Sequence, residues 1–316
     1  MYRGLFLTLL LFVSCQTKST PVENTEPKVE SAQYITVLGT AQDAGYPQIN
    51  CKKSCCKPYH DGKVDKKLIS CLGLIDLKAK QKWLFDATPD IALQVQNITE
   101  NHLETTNVLD GIFLTHAHIG HYTGLMYLGR EAMGATKVPV YTMPKMKSYL
   151  ETNGPWSQLV ALENIQLKKL EHNTAVDLTN GLKVTPFLVP HRDEFSETVG
   201  YKIEGKLKSA LFIPDINKWQ LWEKDIVAEV KKVDYAFLDA TFFKDGEIPR
   251  PMSEVPHPFI EETATLFQSA AKATKNKVIF IHFNHSNPAL QDAHPLKDSL
   301  QKLGFRFAKE GMRFGL

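Results

Sequence analysis

Beyond residue 33 the chain alternates short runs rich in Val, Ile, Leu and Phe with Gly, Asp and Pro punctuation. Apolar runs of this length, bounded by turn residues, predict strands more readily than helices. The pattern places strands at Tyr34–Leu38, Leu68–Asp76, Trp83–Asp86, Gly111–Thr115, Val138–Thr142 and Leu182–Val189. Further strands are expected at Thr198–Ile203, Ala210–Ile213, Tyr235–Asp239, Lys277–His282, Phe305–Ala308 and Met312–Phe314. Amphipathic stretches predict helices at His121–Gly129, Lys145–Thr152, Lys218–Val230, Phe259–Ala273 and Pro295–Leu303. Many strands with late helices imply two packed mixed sheets flanked by helices. This is an α/β class (α+β sandwich) of αββα type, forming one domain over residues 34–316.

The first 33 residues break this pattern. Arg3 precedes a short apolar run, Leu5 to Val13, that ends at Val13-Ser14-Cys15. The run is shorter than the ~20 residues a membrane-spanning helix needs and fits a secretory signal. Val13-Ser14-Cys15 resembles a bacterial lipobox, with a plain signal peptide cut nearby as the alternative. Residues 1–14 are therefore expected to be a lipoprotein signal peptide and Cys15 the lipidated residue. Residues 15–33, rich in Ser, Thr, Pro and Glu, read as a flexible tether. This predicts an exported protein, lipid-anchored at a bacterial cell envelope.

Composition excludes several classes. With 37 Lys+Arg against 35 Asp+Glu in 316 residues, the chain has no broad field for gripping nucleic acid. Hydrophobic residues at 43% and charged residues at 23% are values of an ordinary folded protein. Five cysteines in this length do not make a disulfide framework.

The chemistry concentrates in Phe113-Leu114-Thr115-His116-Ala117-His118-Ile119-Gly120-His121-Tyr122. A hydrophobic strand runs into three of the chain's eleven histidines, at i, i+2 and i+5. Neutral imidazole is the commonest transition-metal ligand, and a strand end holds it more rigidly than a loop does.

Thr-His-Ala-His-Ile-Gly-His resembles the H-x-H-x-D-H motif of the metallo-β-lactamase superfamily. Later strand ends follow in the family's order at Val189-Pro190-His191, Phe212-Ile213-Pro214-Asp215 and Phe280-Ile281-His282. The resemblance implies one metal site of His116, His118 and His191. It implies a second of His121 and His282, with Asp215 bridging the two ions and orienting the nucleophile. The motif's Asp is Gly120 here, which leaves the second site His121, Asp215 and His282 and predicts a weakened ion there. The implied metal is zinc, with manganese or iron as alternatives. Asp86, in Leu84-Phe85-Asp86-Ala87-Thr88, matches the superfamily's early Asp, expected to hold the histidine loop from outside the ligand set. Leu238-Asp239-Ala240-Thr241 followed by Val255-Pro256-His257-Pro258 resembles a phosphodiesterase-type arrangement. There Asp239 is a supporting carboxylate and His257 protonates the leaving group; capping of the following helix is the other reading of His257.

Cys51-Lys52-Lys53-Ser54-Cys55-Cys56 follows Gly45-Tyr46-Pro47-Gln48. Together with Asn284-His285-Ser286-Asn287-Pro288, these segments resemble pyrroloquinoline-quinone biosynthesis B proteins and phosphonate-pathway cyclic phosphodiesterases. The resemblance implies a structural zinc held by Cys51, Cys55, Cys56 and His285. In an exported chain a disulfide competes, pairing Cys51 with one of its neighbours or drawing in Cys71. Cys71, within Ile69–Ile75, reads as a core residue.

Three functions are compatible with these residues. The first is a metal-dependent hydrolase of a small phosphodiester, ester or lactone, with Asp215 and His257 as catalytic residues. The second is an iron- and oxygen-dependent oxidase or hydroxylase, resembling the quinone-biosynthesis proteins. The third is a non-catalytic, metal-stabilised binding protein.

Overall fold

The computed structural model describes residue 1 and residues 31–249, 251, 254–291 and 294–316. The expected signal peptide beyond Met1, and Cys15, lie outside the described residues. The first strand begins inside the stretch assigned to the tether. Ser31 Oγ donates to the Leu316 carbonyl at 2.8 Å, and the Gln33 side-chain amide donates to Asp76 at 2.8 Å.

The strands are β1 Gln33–Gly39, β2 Cys71–Asp76, β3 Gln81–Phe85, β4 Gly111–Phe113, β5 Val138–Thr142, β6 Ile165–Lys169 and β7 Val176–Thr179. They continue with β8 Leu182–Leu188, β9 Val199–Glu204, β10 Ser209–Ile213, β11 Tyr235–Asp239, β12 Val278–Ile281, β13 Arg306–Phe307 and β14 Arg313–Gly315. Two seven-stranded mixed sheets result, ordered β14-β1-β2-β3-β4-β5-β6 and β13-β12-β11-β10-β9-β8-β7. They pack face to face. Ile35, Val37, Leu72, Leu74 and Phe85 of the first sheet meet Phe212, Phe237, Ile279 and Ile281 of the second. The alternate residues Tyr34, Leu38, Cys71, Ile75, Leu84 and Ile112 face outward into a second core closed by helices. Central strands are thus buried on both faces, which is why they read as near-continuous apolar runs.

The two unanticipated strands, β6 and β7, are the outermost strands of their sheets. They bury few of their side chains, so the sequence around them is too polar to stand out. Helix Ile91–Asn101 was also not anticipated; its buried residues are Ile91, Gln94 and Ile98, one of them polar. Helices Pro144–Thr152 and Pro295–Leu303 match expectation, each with a proline in its first turn. The stretch 218–230 instead divides into a 3₁₀ turn, Trp219–Leu221, and helix Ile226–Lys231, where the Asp225 side chain accepts from Ala228 N at 2.8 Å. The stretch 259–273 stops at Leu266 and resumes at Lys272–Lys275, and 121–129 is mostly a 3₁₀ turn, Thr123–Leu128. No helix among the described residues is long and apolar enough to cross a membrane.

Strand direction positions the site. β3, β4 and β5 are mutually parallel, as are β10, β11 and β12. β1 and β8 are each two antiparallel steps from β3 and β10, so they run the same way as those strands. The loops leaving β1, β3, β4, β8, β10, β11 and β12 therefore open on the carboxyl edges of the sheets, where open α/β sheets place their sites.

Candidate metal centre

Each of those loops delivers one or more polar side chains. Asp43 follows β1, Asp86 follows β3, and His116, His118 and His121 follow β4. His191 follows β8, Asp215 follows β10, Asp239 closes β11 and His282 follows β12. His116 Nε2 lies 2.8 Å from His118 Nδ1 and 3.2 Å from Asp215 Oδ2, and His191 Nε2 lies 3.2 Å from Asp215 Oδ1. One atom from each of His116, His118, His191 and Asp215 thus falls within 4.8 Å of the others. A second group meets the same condition: Asp43, His121, His282 and again Asp215. Within it His121 Nε2 is 3.0 Å from Asp43 Oδ1 and 3.9 Å from Asp215 Oδ2, and His282 Nε2 is 3.5 Å from Asp43 Oδ1.

These groups have the spacing and the unmet valence that a cation requires. Donors about 2.0–2.1 Å from a tetrahedral ion lie roughly 3.3–3.4 Å from one another, and the separations above bracket that value. His191 Nε2, His282 Nε2 and Asp215 Oδ1 are buried without a hydrogen-bond partner among the described residues. Buried polar atoms are nearly always paired, so three orphans at one site fit donors to a bound cation. Imidazole with carboxylate suits zinc, and also iron or manganese.

The same supporting device appears in both sheets. Thr115 N and Oγ1 donate to Asp86 Oδ1 at 2.8 and 2.9 Å, so Thr115 Oγ1 accepts from His116 Nδ1 at 2.9 Å. Thr241 N and Oγ1 donate to Asp239 Oδ1 at 2.9 and 2.7 Å, so Thr241 Oγ1 accepts from His282 Nδ1 at 2.9 Å. Each Asp-Thr pair places the ring proton on Nδ1 and turns the Nε2 lone pair toward the donor groups. Asp86 Oδ2 does the same for His121, accepting from its Nδ1 at 2.7 Å. His191 Nδ1 is 3.1 Å from Asn217 Oδ1, which can only accept. Asp86 and His282 adopt left-handed backbone, φ 72° and 68°. Such a conformation costs about 1–3 kcal/mol at a non-glycine residue and is held here by the buried hydrogen bonds. Across the interface between the sheets, the Tyr201 hydroxyl donates to the Leu114 carbonyl and pins the start of the histidine loop.

Electrostatics follow the packing. Burial raises the carboxyls of Asp43 and Asp215, but adjacent imidazoles outweigh it and hold both well below the usual carboxylate range. For Asp43 these are His121 and His282; for Asp215, His191 and His257 lead. Burial and the charge of His121 push His116 well below an ordinary histidine. Burial opposes charge on His121, yet Asp86 and Asp43 raise it well above the ordinary value.

His257 sits beside both groups. Its Nδ1 donates to Asp239 Oδ2 at 2.9 Å and lies 3.1 Å from Asp215 Oδ1. Burial disfavours its charge, but Asp239 and Asp215 overcome that and raise it to about 10. It does not cap the following helix, Ile260–Leu266; Glu262 does, accepting from the Phe259 backbone N at 2.8 Å. His257 forms part of the wall of a cavity of about 830 Å³, whose other lining residues include Gln48, Lys53, Arg192, Glu247 and Asn284.

The cysteines divide. Sulfur atoms of Cys51 and Cys55 lie 3.8 Å apart as free thiols, and His285 completes a group with them. Cys56, expected among the ligands, falls outside that group. It precedes the short helix Lys57–His60 and is fully buried in a small core with Ala41, Tyr46 and Cys51. Burial pushes its thiol up to about 12. Cys71 is a core residue on the outer face of β2, as its sequence context indicates.

One member of the two donor groups escaped the sequence reading. Asp43 stands in Gly39-Thr40-Ala41-Gln42-Asp43-Ala44-Gly45, and the only local signal is an acid at the turn after a strand.

Residues 81–283 match the family described as beta-lactamase superfamily domain. Coenzyme PQQ synthesis protein B of Gluconobacter oxydans is 25% identical over 308 residues, covering 89% of this chain and 98% of that protein. The Pseudomonas putida protein of the same name is 27% identical over 315 residues, covering 90% and 100%. Among solved structures, Zn²⁺-bound PqqB from Methylobacterium extorquens superposes with a TM-score of 0.74 at 21% identity, covering 90% of this chain and 100% of that one. A diphosphatase of the PhnP family gives a TM-score of 0.61 at 22% identity, covering 89% and 96%. Both structures share the two-sheet fold. With that fold and a family match that spans every donor of the two groups except Asp43, the chain belongs to the metallo-β-lactamase superfamily.

Proposed function

We propose that this protein is a metal-dependent hydrolase of a small phosphodiester, with ester and lactone bonds as the related alternatives. The observation that carries the reading is His257. It is buried beside both donor groups, held by Asp239 and Asp215, and forms part of a cavity wall. Zinc, or manganese or iron, held by the two groups would activate water as a nucleophile at neutral pH. Asp215, shared by both groups, orients the attacking face. His257 keeps a proton because two carboxylates flank its Nδ1 edge, and its Nε2 edge, without a hydrogen-bond partner among the described residues, would donate to a leaving oxygen. Lys53 and Arg192 give the cavity cations for an anionic substrate.

The test separates leaving groups. In His257→Ala, kcat on a phosphodiester with a weakly acidic alcohol falls by about 10²–10⁴-fold. Bis(p-nitrophenyl) phosphate, whose leaving group needs no proton, loses far less, and metal content is unchanged. Equal losses on both substrates reject the role of His257. No turnover of phosphodiesters, esters or lactones after zinc, manganese or iron loading rejects the hydrolase.

The Leu5–Val13 run and Val13-Ser14-Cys15 support a place for the enzyme at a bacterial cell envelope, anchored through Cys15. Release of a Cys15→Ser chain into the soluble fraction tests it. A second reading, iron- and oxygen-dependent oxidation, draws on similarity to coenzyme PQQ synthesis protein B along about 90% of the chain. Oxygen uptake by the iron-loaded protein distinguishes the two.

A further inference from the structure

The superfamily motif carries an aspartate where this chain has Gly120, yet the second donor group is not short of a carboxylate. We infer that Asp43, from the loop after β1, has taken over the metal-binding part of the motif aspartate, and that Gly120 is the complementary change that admits it. The inference rests on reading this face as a metal centre and names the fourth donor of its second ion.

Three observations converge on it. Asp43 Oδ1 lies 3.0 Å from His121 Nε2 and 3.5 Å from His282 Nε2, the spacing of donors around one small cation. Asp86 Oδ2 accepts from His121 Nδ1, which leaves Nε2 as the edge that meets Asp43 Oδ1. A cation bound there would replace the proton those two atoms share and be held by the imidazole lone pair and the carboxylate together.

The second observation is steric. A Cβ built on Gly120 would meet Asp43 Oδ1 at 2.5 Å, Asp43 Cα at 2.5 Å and Asp43 Cβ at 2.9 Å. Real Cβ contacts essentially never come so close. An aspartate at 120 and Asp43 in its present place exclude each other, because they compete for one volume. The chain keeps one carboxylate there and changes the loop that brings it.

The third is mechanical. Gln42 N donates to the Phe283 carbonyl at 2.8 Å, and Phe283 N donates to the Thr40 carbonyl at 2.8 Å. The turn holding Asp43 is thereby stitched to the segment that holds His282. Gly45 N closes the turn on the Gln42 carbonyl at 2.7 Å. Asp43 is thus held in register with its partner ligand. Its side chain is only 13% exposed.

Zinc(II) equilibrium dialysis on the full chain tests the assignment. Cobalt(II) titration alongside it separates the cysteine cluster by its thiolate charge-transfer band. The wild-type chain is expected to take up two ions outside that cluster, one lost in His116→Ala and the other in His121→Ala. Asp43→Ala and Asp43→Asn should each lose the ion that His121→Ala loses. The affinity drop should exceed the roughly 10–100-fold that follows loss of an outer hydrogen-bond partner. Asparagine still offers an oxygen to His121, so a merely structural Asp43 would tolerate it. Gly120→Ala should lose the same ion although Asp43 remains, by displacing its loop; retention of the ion that His116→Ala loses, with an unchanged thermal melt, reports that the fold persists. Two ions bound as tightly in Asp43→Asn and Asp43→Ala as in the wild type overturn the inference. So does a wild-type chain that binds a single ion, lost in His116→Ala, though the hydrolase reading then survives. A wild-type chain that binds none outside the cysteine cluster overturns both.

Discussion

The two donor groups share Asp215 and the same Asp-Thr support, yet the chain builds them differently. The first takes His116 and His118 from one strand end, two residues apart, and adds His191 and Asp215 from two more. The second draws Asp43, His121 and His282 from three separate segments in addition to Asp215. A pair fixed by one strand end can hardly change one member without losing the other. A group assembled from separate loops can exchange one supplier for another, provided that the new atom reaches the same point. The contrast between Asp43 and Gly120 is what such an exchange leaves behind.

Replacing the shared member has the largest expected effect. Asp215→Ala removes a donor from both groups, leaves His116 and His191 without the carboxylate they face and leaves His257 with Asp239 alone. Elemental analysis should find both ions lost and turnover at background. Retention of either ion would show that the groups are not joined through Asp215.

The next separates the groups through their support. In Asp86→Asn the oxygen at Oδ1 can still accept from Thr115, so His116 keeps its orientation. The amide at the other position faces His121 Nδ1 as a donor, which favours the tautomer with its proton at Nε2. Zinc affinity of the second group should fall by about 10–100-fold, with the first nearly unchanged. Equal losses in calorimetric titration would contradict the independent tuning of the two groups.

The smallest effect comes from outside. Cys51 and Cys55 share a loop with Asp43, and His285 shares one with His282. Cys55→Ser should abolish the cobalt charge-transfer band and weaken the second group by no more than about tenfold, the lower end of outer-partner effects. The first group, reached through β4, β8 and β10, should be untouched. A matching loss there would mean that the cysteine cluster supports the whole edge and not one loop.

The amino-acid sequence by itself determined the central strands, because burial on both faces demands long apolar runs at each of them. It also determined the His116-Ala-His118 pair and the order of His191, Asp215 and His282, since each closes or follows such a run. The polar outermost strands β6 and β7 lacked that signature, as did helix Ile91–Asn101 with Gln94 on its buried face. Only the tertiary structure decided that Asp43 occupies the space beside Gly120, that Cys56 turns into a core and drops out of the expected group with Cys51, Cys55 and His285, and that His257 is clasped by two carboxylates. The physical reason is one of range. Burial of a strand is written in neighbouring residues, whereas convergence of donors depends on which strands run parallel and where their ends meet.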